Sequence, residues 1–203
     1  MGSGYKKIII GIFLATFHIN LGLFQFVPPF LGWLVVAIGV TELLEKFPNT
    51  SFRRASLLSK IILAYTLFTD SVAFFNPALL SPGSMLRFAP VVYAIFHLLF
   101  AYHILEGSTL YVRSLQMEDL EKSLVARTGT FIVFYLMNST VICYALAFHG
   151  AVLLILSAIA GVILNIWFMM MMNELKKLEA IPGPTESIPN STNAMEPDQN
   201  RES

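Results

Sequence analysis

The side chains in this sequence that could do chemistry are a few polar residues set inside long apolar stretches. Asp70 lies near the end of one stretch and Arg87 at the start of the next, which also contains His97; Asn138 lies in a later stretch. An ionisable group at the centre of a membrane costs about 2.5 to 3.5 kcal/mol on insertion scales, so each such group requires a partner or a purpose. These four residues are therefore the first candidates for a functional site.

The elements that carry them are predicted to be transmembrane helices. The chain is 56% hydrophobic and 13% charged, whereas soluble proteins are about 25% charged. It has six apolar windows, at residues 8–26, 30–44, 57–75, 88–105, 129–148 and 151–172. About 20 residues of helix cross a hydrocarbon core about 30 Å thick. The pattern predicts an all-α bundle of six spans in a lipid bilayer, or five if the short second window belongs to a re-entrant hairpin within residues 8–44.

The basic residues indicate the orientation of this bundle, because loops on the cytoplasmic side are enriched in Lys and Arg. With six spans and both termini in the cytoplasm, that side receives 12 basic residues and the other side receives only Arg87. The 12 are Lys6, Lys7, Lys46, Arg53, Arg54, Lys60, Arg113, Lys122, Arg127, Lys176, Lys177 and Arg201. The expected location is therefore a plasma membrane that the chain crosses several times.

Two segments are predicted to lie outside the spans on the cytoplasmic side. Residues 108–126 carry an apolar stripe on a charged background, which is typical of an amphipathic helix on a membrane surface. The tail at residues 181–203 is polar and proline-rich, so we expect it to be disordered. The formal net charge is zero, and no basic patch predicts a nucleic-acid partner.

The first hairpin has features of its own. Pro28 or Pro29 is expected to begin the second helix, because proline suits the first helical position. Gly32, Val36 and Gly39 on that helix, like Ser157, Gly161 and Asn165 on the last one, are spaced as helix-packing faces. Trp33 is expected in the aromatic belt at the membrane interface.

The first 46 residues resemble a group of uncharacterised bacterial multi-pass membrane proteins. The likeness rests on "HINLG", Gln25, "VPPFLGW" and "AIGVTELLEK". The group has Asp where this chain has Pro29, and Tyr where it has Trp33. The resemblance implies a bacterial inner-membrane protein and brings no known activity with it.

Asp70 and Arg87 are predicted to face each other across one hairpin. The favoured interpretation is a structural ion pair, since Arg is well suited to bind a carboxylate. The alternative makes Asp70 a proton or cation site that faces a cavity. His18 and Gln25 lie on the same outer side, where they either cap a bend or form an outer pocket with Asp70.

His97 and Asn138 are expected at the same mid-membrane depth. A hydrogen bond between them is the favoured interpretation, and a relay or ligand role is the alternative. We expect no catalytic residues, no metal site and no cofactor, because the sequence lacks the motifs of such sites. The leading hypothesis is an accessory, scaffold or subunit of a membrane assembly that contacts lipid and other membrane proteins or a second copy of itself. The alternative is a small-solute or ion transporter.

Overall fold

The computed structural model describes residues 4–17, 20–21, 24–25, 28–76, 85–148 and 150–178. Six helices make up nearly all of this part of the chain, so the all-α prediction is confirmed. They are α1 (Gly4–Thr16), α2 (Pro29–Lys46), α3 (Thr50–Phe75), α4 (Ala89–Ser114), α5 (Glu118–Ala147) and α6 (Ala151–Leu178). A two-residue strand pair, β1 (Asn20–Leu21) and β2 (Phe24–Gln25), lies between α1 and α2, and a 3-10 turn (Met85–Phe88) precedes α4.

The helices form a closed ring. Each packs against the next along the chain, and α6 returns to pack against α1. Neighbours run antiparallel: Gly4 and Gly11 of α1 contact Leu43 and Val36 of α2, in reverse order. One end of the ring therefore collects the starts of α1, α3 and α5 and the ends of α2, α4 and α6. We call it the basic end, because Lys7, Lys46 and other basic residues lie there.

Within the part of the chain that the structure describes, four segments are long and apolar enough to cross a membrane. They are Thr50–Val72, Leu86–Ser114, Glu118–Ala147 and Ala151–Leu178. The first hairpin differs: α1 has 13 residues, or about 20 Å of helix, and α2 carries Glu42, Glu45 and Lys46 in its last turn and a half.

The first predicted span extends too far. The window reaches residue 26, whereas α1 ends at Thr16 and the chain then forms the β1–β2 pair. Hydropathy alone does not distinguish a helix from an extended chain. Pro29 is the first residue of α2, with Pro28 at its N-cap, as predicted.

The separate amphipathic helix predicted at residues 108–126 is absent from the described structure. Helix α4 continues to Ser114, and after a turn α5 begins at Glu118. Ser108, Tyr111 and Val112 are buried, so packing against the bundle extends α4 past the apolar window. The turn places Gln116 in the left-handed region, with φ of 57°, which ends the helix. The predicted tail at residues 181–203 lies outside the described residues.

Glycines bring α1 and α2 into backbone contact, as the spacing of Gly32, Val36 and Gly39 predicts. A Cβ on Gly32 would lie 2.5 Å from both Ala15 N and Gly11 O, and a Cβ on Gly39 would lie 2.7 Å from Gly4 O. Such distances exclude any side chain without movement of the opposite helix. Close approach of this kind increases the van der Waals contact between helices.

Gly32→Ala is therefore expected to destabilise the bundle, although alanine is the better helix former by about 0.8 to 1 kcal/mol. The added methyl group meets backbone atoms, and overpacking of this kind costs about 1 to 3 kcal/mol. Thermal unfolding of the purified protein in mild detergent measures the loss.

Gly129→Ala on α5 is the matched control, because nothing lies within 4 Å of its Cβ position. Its stability should equal or slightly exceed that of the unmodified chain. Equal unfolding temperatures for the two variants would contradict the close α1–α2 contact.

Candidate functional site

Helix α4 presents one continuous face to the interior of the ring. Residues spaced three or four apart share a helix face, and six of them run along this side: Tyr93, His97, Phe100, Ile104, Ser108 and Tyr111. Most are fully or almost fully buried. At the basic end, Tyr5 of α1 and Ser108 share a buried hydrogen bond of 2.8 Å. The interior of the ring is thus occupied by α4 side chains and their partners.

His97 lies at the centre of an aromatic cluster in this interior. The cluster, called the His97 cluster below, comprises His97 and the five rings in contact with it: Trp33, Tyr93, Phe100, Tyr135 and Phe168. These residues come from α2, α4, α5 and α6. The Tyr93 ring stacks on the imidazole at 5.8 Å with an interplanar angle of 7°. His97 is only 1% exposed.

Two hydrogen bonds satisfy polar atoms of the cluster. His97 Nδ1 lies 2.7 Å from Tyr135 Oη, and Trp33 Nε1 donates to Tyr93 Oη at 3.2 Å. A buried polar group that lacks a partner is costly, whereas a paired one fixes the register of the elements it joins. The two bonds therefore tie α4 to α5 and α2 to α4.

The structure gives His97 a different partner from the one expected. The recorded hydrogen bond goes to Tyr135, three residues before Asn138 on α5. Trp33 also lies elsewhere than predicted: it is 0% exposed inside the ring and does not belong to an interfacial belt. The spacing of Tyr93, His97 and Phe100 on one face of α4 was the available sequence signal for this cluster.

Asp70 and Arg87 lie on adjacent elements, α3 and the 3-10 turn that precedes α4, and both are half-buried. The Arg87 guanidinium lies 4.8 Å from the centre of the Phe88 ring. Their mutual ion pair stays a prediction. His18 is outside the described residues and so is the side chain of Gln25, so the predicted outer pocket is not described.

Asn138 lies in a groove between α5 and α6. The groove has a volume of about 580 Å³. Its lining is apolar apart from Asn138 and Ser157, and comprises Phe134, Met137, Asn138, Val141, Leu153, Leu156, Ser157, Ala160, Ile163, Leu164 and Trp167. The Asn138 amide lies beside Gly161 of α6, where a Cβ would meet Asn138 Nδ2 at 3.6 Å, an ordinary van der Waals distance.

The two polar groups of the groove differ in their hydrogen bonding. The Ser157 hydroxyl donates to Leu154 O within its own helix, at 2.9 Å. Among the described residues, none hydrogen-bonds the side-chain amide of Asn138. Asn165, on the same predicted stripe as Ser157, instead faces α1 and donates to Thr16 Oγ1 at 3.1 Å.

Charged and polar contacts link neighbouring helices at the basic end. Lys7 pairs with Glu42 between α1 and α2, Arg113 with Glu121 between α4 and α5 at 2.6 Å, and Arg127 with Glu174 between α5 and α6 at 2.5 Å. The Ser51 hydroxyl joins α3 to α4 by donating to Glu106 at 2.8 Å. Exposed ion pairs contribute little to stability, typically about 0 to 1 kcal/mol each. These contacts therefore show which helices are neighbours, but they contribute little to the stability of the ring.

The described residues contain no group of three or more His, Cys, Asp and Glu placed to hold a metal ion. His103 and Glu106 pair with each other at 3.2 Å on one turn of α4. The arrangement therefore offers two kinds of site: a closed aromatic cluster with paired polar atoms, and an open apolar groove with one amide in it.

Tyr135→Phe is expected to destabilise the bundle by about 1 to 3 kcal/mol, because it leaves His97 Nδ1 buried without its partner. The measurement is unfolding in mild detergent, compared with Tyr144→Phe on the same helix. Tyr144 is 55% exposed, so that control should unfold as the unmodified chain does. A Tyr135→Phe protein as stable as the control would show that the His97 contact contributes nothing.

Comparison of the chain with protein-family models, with curated proteins and with solved structures finds no match.

Proposed function

We propose that the protein is an integral membrane protein with six spans and cytoplasmic termini that acts through helix–helix contacts. Its role would be that of an accessory, scaffold or subunit of a membrane assembly, without catalysis of its own. The resemblance of residues 1–46 favours a bacterial plasma membrane as its location. Its partners are the lipid bilayer and other transmembrane helices.

The observation that carries this proposal is the separation of the polar groups expected in the membrane. His97 is enclosed in the ring with Tyr135, Asn138 lies in the groove between α5 and α6, and Asp70 lies on α3, whose helix neighbours are α2 and α4. A transporter requires polar groups that line a shared cavity. Three groups in three separate places favour a structural and interaction role instead.

The surface of the ring supports the membrane location. Ile155, Ile159 and Ile163 of α6 are each more than half exposed. Exposed apolar residues on this scale require an apolar solvent or a partner. The grouping of basic residues at one end of the antiparallel ring supports six spans with that end in the cytoplasm.

The orientation is testable with single cysteines in a Cys143→Ser background. Asn76 lies at the end of α3 away from the basic end and Arg54 lies at the start of α3; both are exposed. In intact cells, a membrane-impermeant maleimide should label Asn76→Cys and leave Arg54→Cys unlabelled until the membrane is permeabilised. Labelling of both residues from the outside would exclude the proposed topology.

The function is testable by comparing assembly with transport. The chain extracted in mild detergent should migrate in a discrete complex larger than one copy. Proteoliposomes that contain it should pass protons and monovalent cations no faster than protein-free vesicles. A flux that Asp70→Asn abolishes, in protein that remains folded, would overturn the proposal in favour of the transporter hypothesis.

A further inference from the structure

The outer faces of α5 and α6 are the least covered of the four long helices. Each helix contains an apolar 18-residue window. The share of that window that is buried is 22% for α5 and 17% for α6, compared with 28% for α3 and 33% for α4. The groove described above lies between these two helices. Lipid chains fill most apolar grooves in a bilayer. A protein is expected there only if some feature of the groove favours it over lipid.

The Asn138 side-chain amide is such a feature. It lies nine residues before Ala147, the last residue of α5, or about 14 Å along the helix axis. In a hydrocarbon core about 30 Å thick, that depth is close to the midplane. Lipid tails offer no donor or acceptor there, while an amide has two N–H donors and a carbonyl acceptor. An occupant with a polar group at the same depth satisfies Asn138, and an acyl chain does not.

We propose that the groove is the interface of a homodimer, in which two copies in the same orientation pack α5 against α5 and pair their Asn138 amides. This inference rests on the proposed membrane role and names its partner. Asparagine carries both a donor and an acceptor, so two copies related by a two-fold axis form a reciprocal N–H to C=O pair. The shared orientation places both amides at the same depth without further adjustment.

The groove also presents both exposed bulky side chains and small residues to an occupant. Its α5 side carries the bulky residues Phe134 and Met137, which are 52% and 60% exposed. Its α6 side carries the small residues Ser157 and Ala160 between the larger residues Leu153, Leu156, Ile163, Leu164 and Trp167. Bulky side chains of one copy fit against small ones of the other, as they do where transmembrane helices approach closely. A single interhelical Asn pair is also known to fix the register and number of helices in a coiled coil.

Disulfide cross-linking in membranes tests the geometry. In a Cys143→Ser background, Met137→Cys should form a disulfide-linked dimer on mild oxidation. Two controls should not: Leu67→Cys, which is 49% exposed on α3 in the native protein, and the unmodified chain, whose exposed Cys143 is not part of the groove lining. Efficient cross-linking through Leu67→Cys with none through Met137→Cys would overturn the proposal.

The dimer affinity tests the role of the amide. Energy transfer between labelled copies in proteoliposomes, measured over a range of protein-to-lipid ratios, gives the dissociation constant. Asn138→Leu removes both bonds of the reciprocal pair and should raise it about 10- to 400-fold, that is, about 3- to 20-fold for each interhelical hydrogen bond in lipid. Asn138→Gln, which keeps the amide, should lose less, and Thr140→Val on the same helix should match the unmodified chain. Thr140 is exposed outside the groove, and its hydroxyl bonds Leu136 O in its own helix.

Unfolding temperatures close to that of the unmodified chain establish that each variant is folded. Monomers at every lipid ratio, or an affinity that Asn138→Leu leaves unchanged, would overturn the homodimer. If the chain still migrates in a larger complex with other proteins, only the homodimer falls and the proposed function stands. A flux that depends on Asp70 would overturn the proposed function and leave the dimer measurement intact.

Discussion

The packing of Trp33 against the inward face of α4 joins the first hairpin to the rest of the ring. The indole contacts Tyr93, His97 and Phe100, and its N–H donates to Tyr93. From these residues contacts continue to Tyr135 on α5 and Phe168 on α6. Truncation of a buried Trp to Ala costs about 3 to 5 kcal/mol. Four helices therefore contribute to one aromatic cluster, and α2, α5 and α6 each contact α4 there.

The two kinds of polar environment have different physical meanings. Inside the ring, the hydrogen bonds of His97 with Tyr135 and of Trp33 with Tyr93 each join two neighbouring helices. These bonds therefore specify how the helices fit together. Asn138 lies one turn beyond Tyr135 on α5 and faces the groove. Its amide lies beside Gly161 of α6, but no described residue hydrogen-bonds it. Its cost is offset only by an occupant that hydrogen-bonds it, which is why the groove and not the histidine is the better candidate for recognition.

The sequence allowed the all-α class and the positions of α3 to α6 to be predicted, because long apolar windows are a strong signal. The contact faces of Gly32 and Gly39 were predictable for a similar reason, since small residues at helical spacing have few other uses in lipid. The end of α1 and the continuation of α4 were not. Both depend on tertiary packing and on turn geometry, to which hydropathy is insensitive.

The partner of His97 shows the same limit at the level of one residue. Depth along the helix places Tyr135 and Asn138 within about 4.5 Å of each other, so depth alone does not choose between them. They differ by about 60° around the helix axis, and that rotation sends one into the ring and the other into the groove. Trp33 was assigned to the membrane interface on composition, whereas the close α1–α2 approach turns its side chain towards α4. The rotation of a helix about its axis depends on its neighbouring helices, and the sequence indicates it only where a marked pattern, such as the small residues of α2, identifies the packing face.

The first helix ends at a level along α6 that the groove also reaches. Helix α1 ends at Thr16, where its hydroxyl accepts a hydrogen bond from Asn165 of α6. Most of the α6 residues that line the groove, from Leu153 to Leu164, lie beyond that level towards the opposite end of the ring, whereas Trp167 lies just on the basic-end side of it. Helix α1 therefore ends within the level of the groove and does not extend along most of its length. The part of the groove beside Asn138 therefore lies towards the end of the ring opposite the basic end.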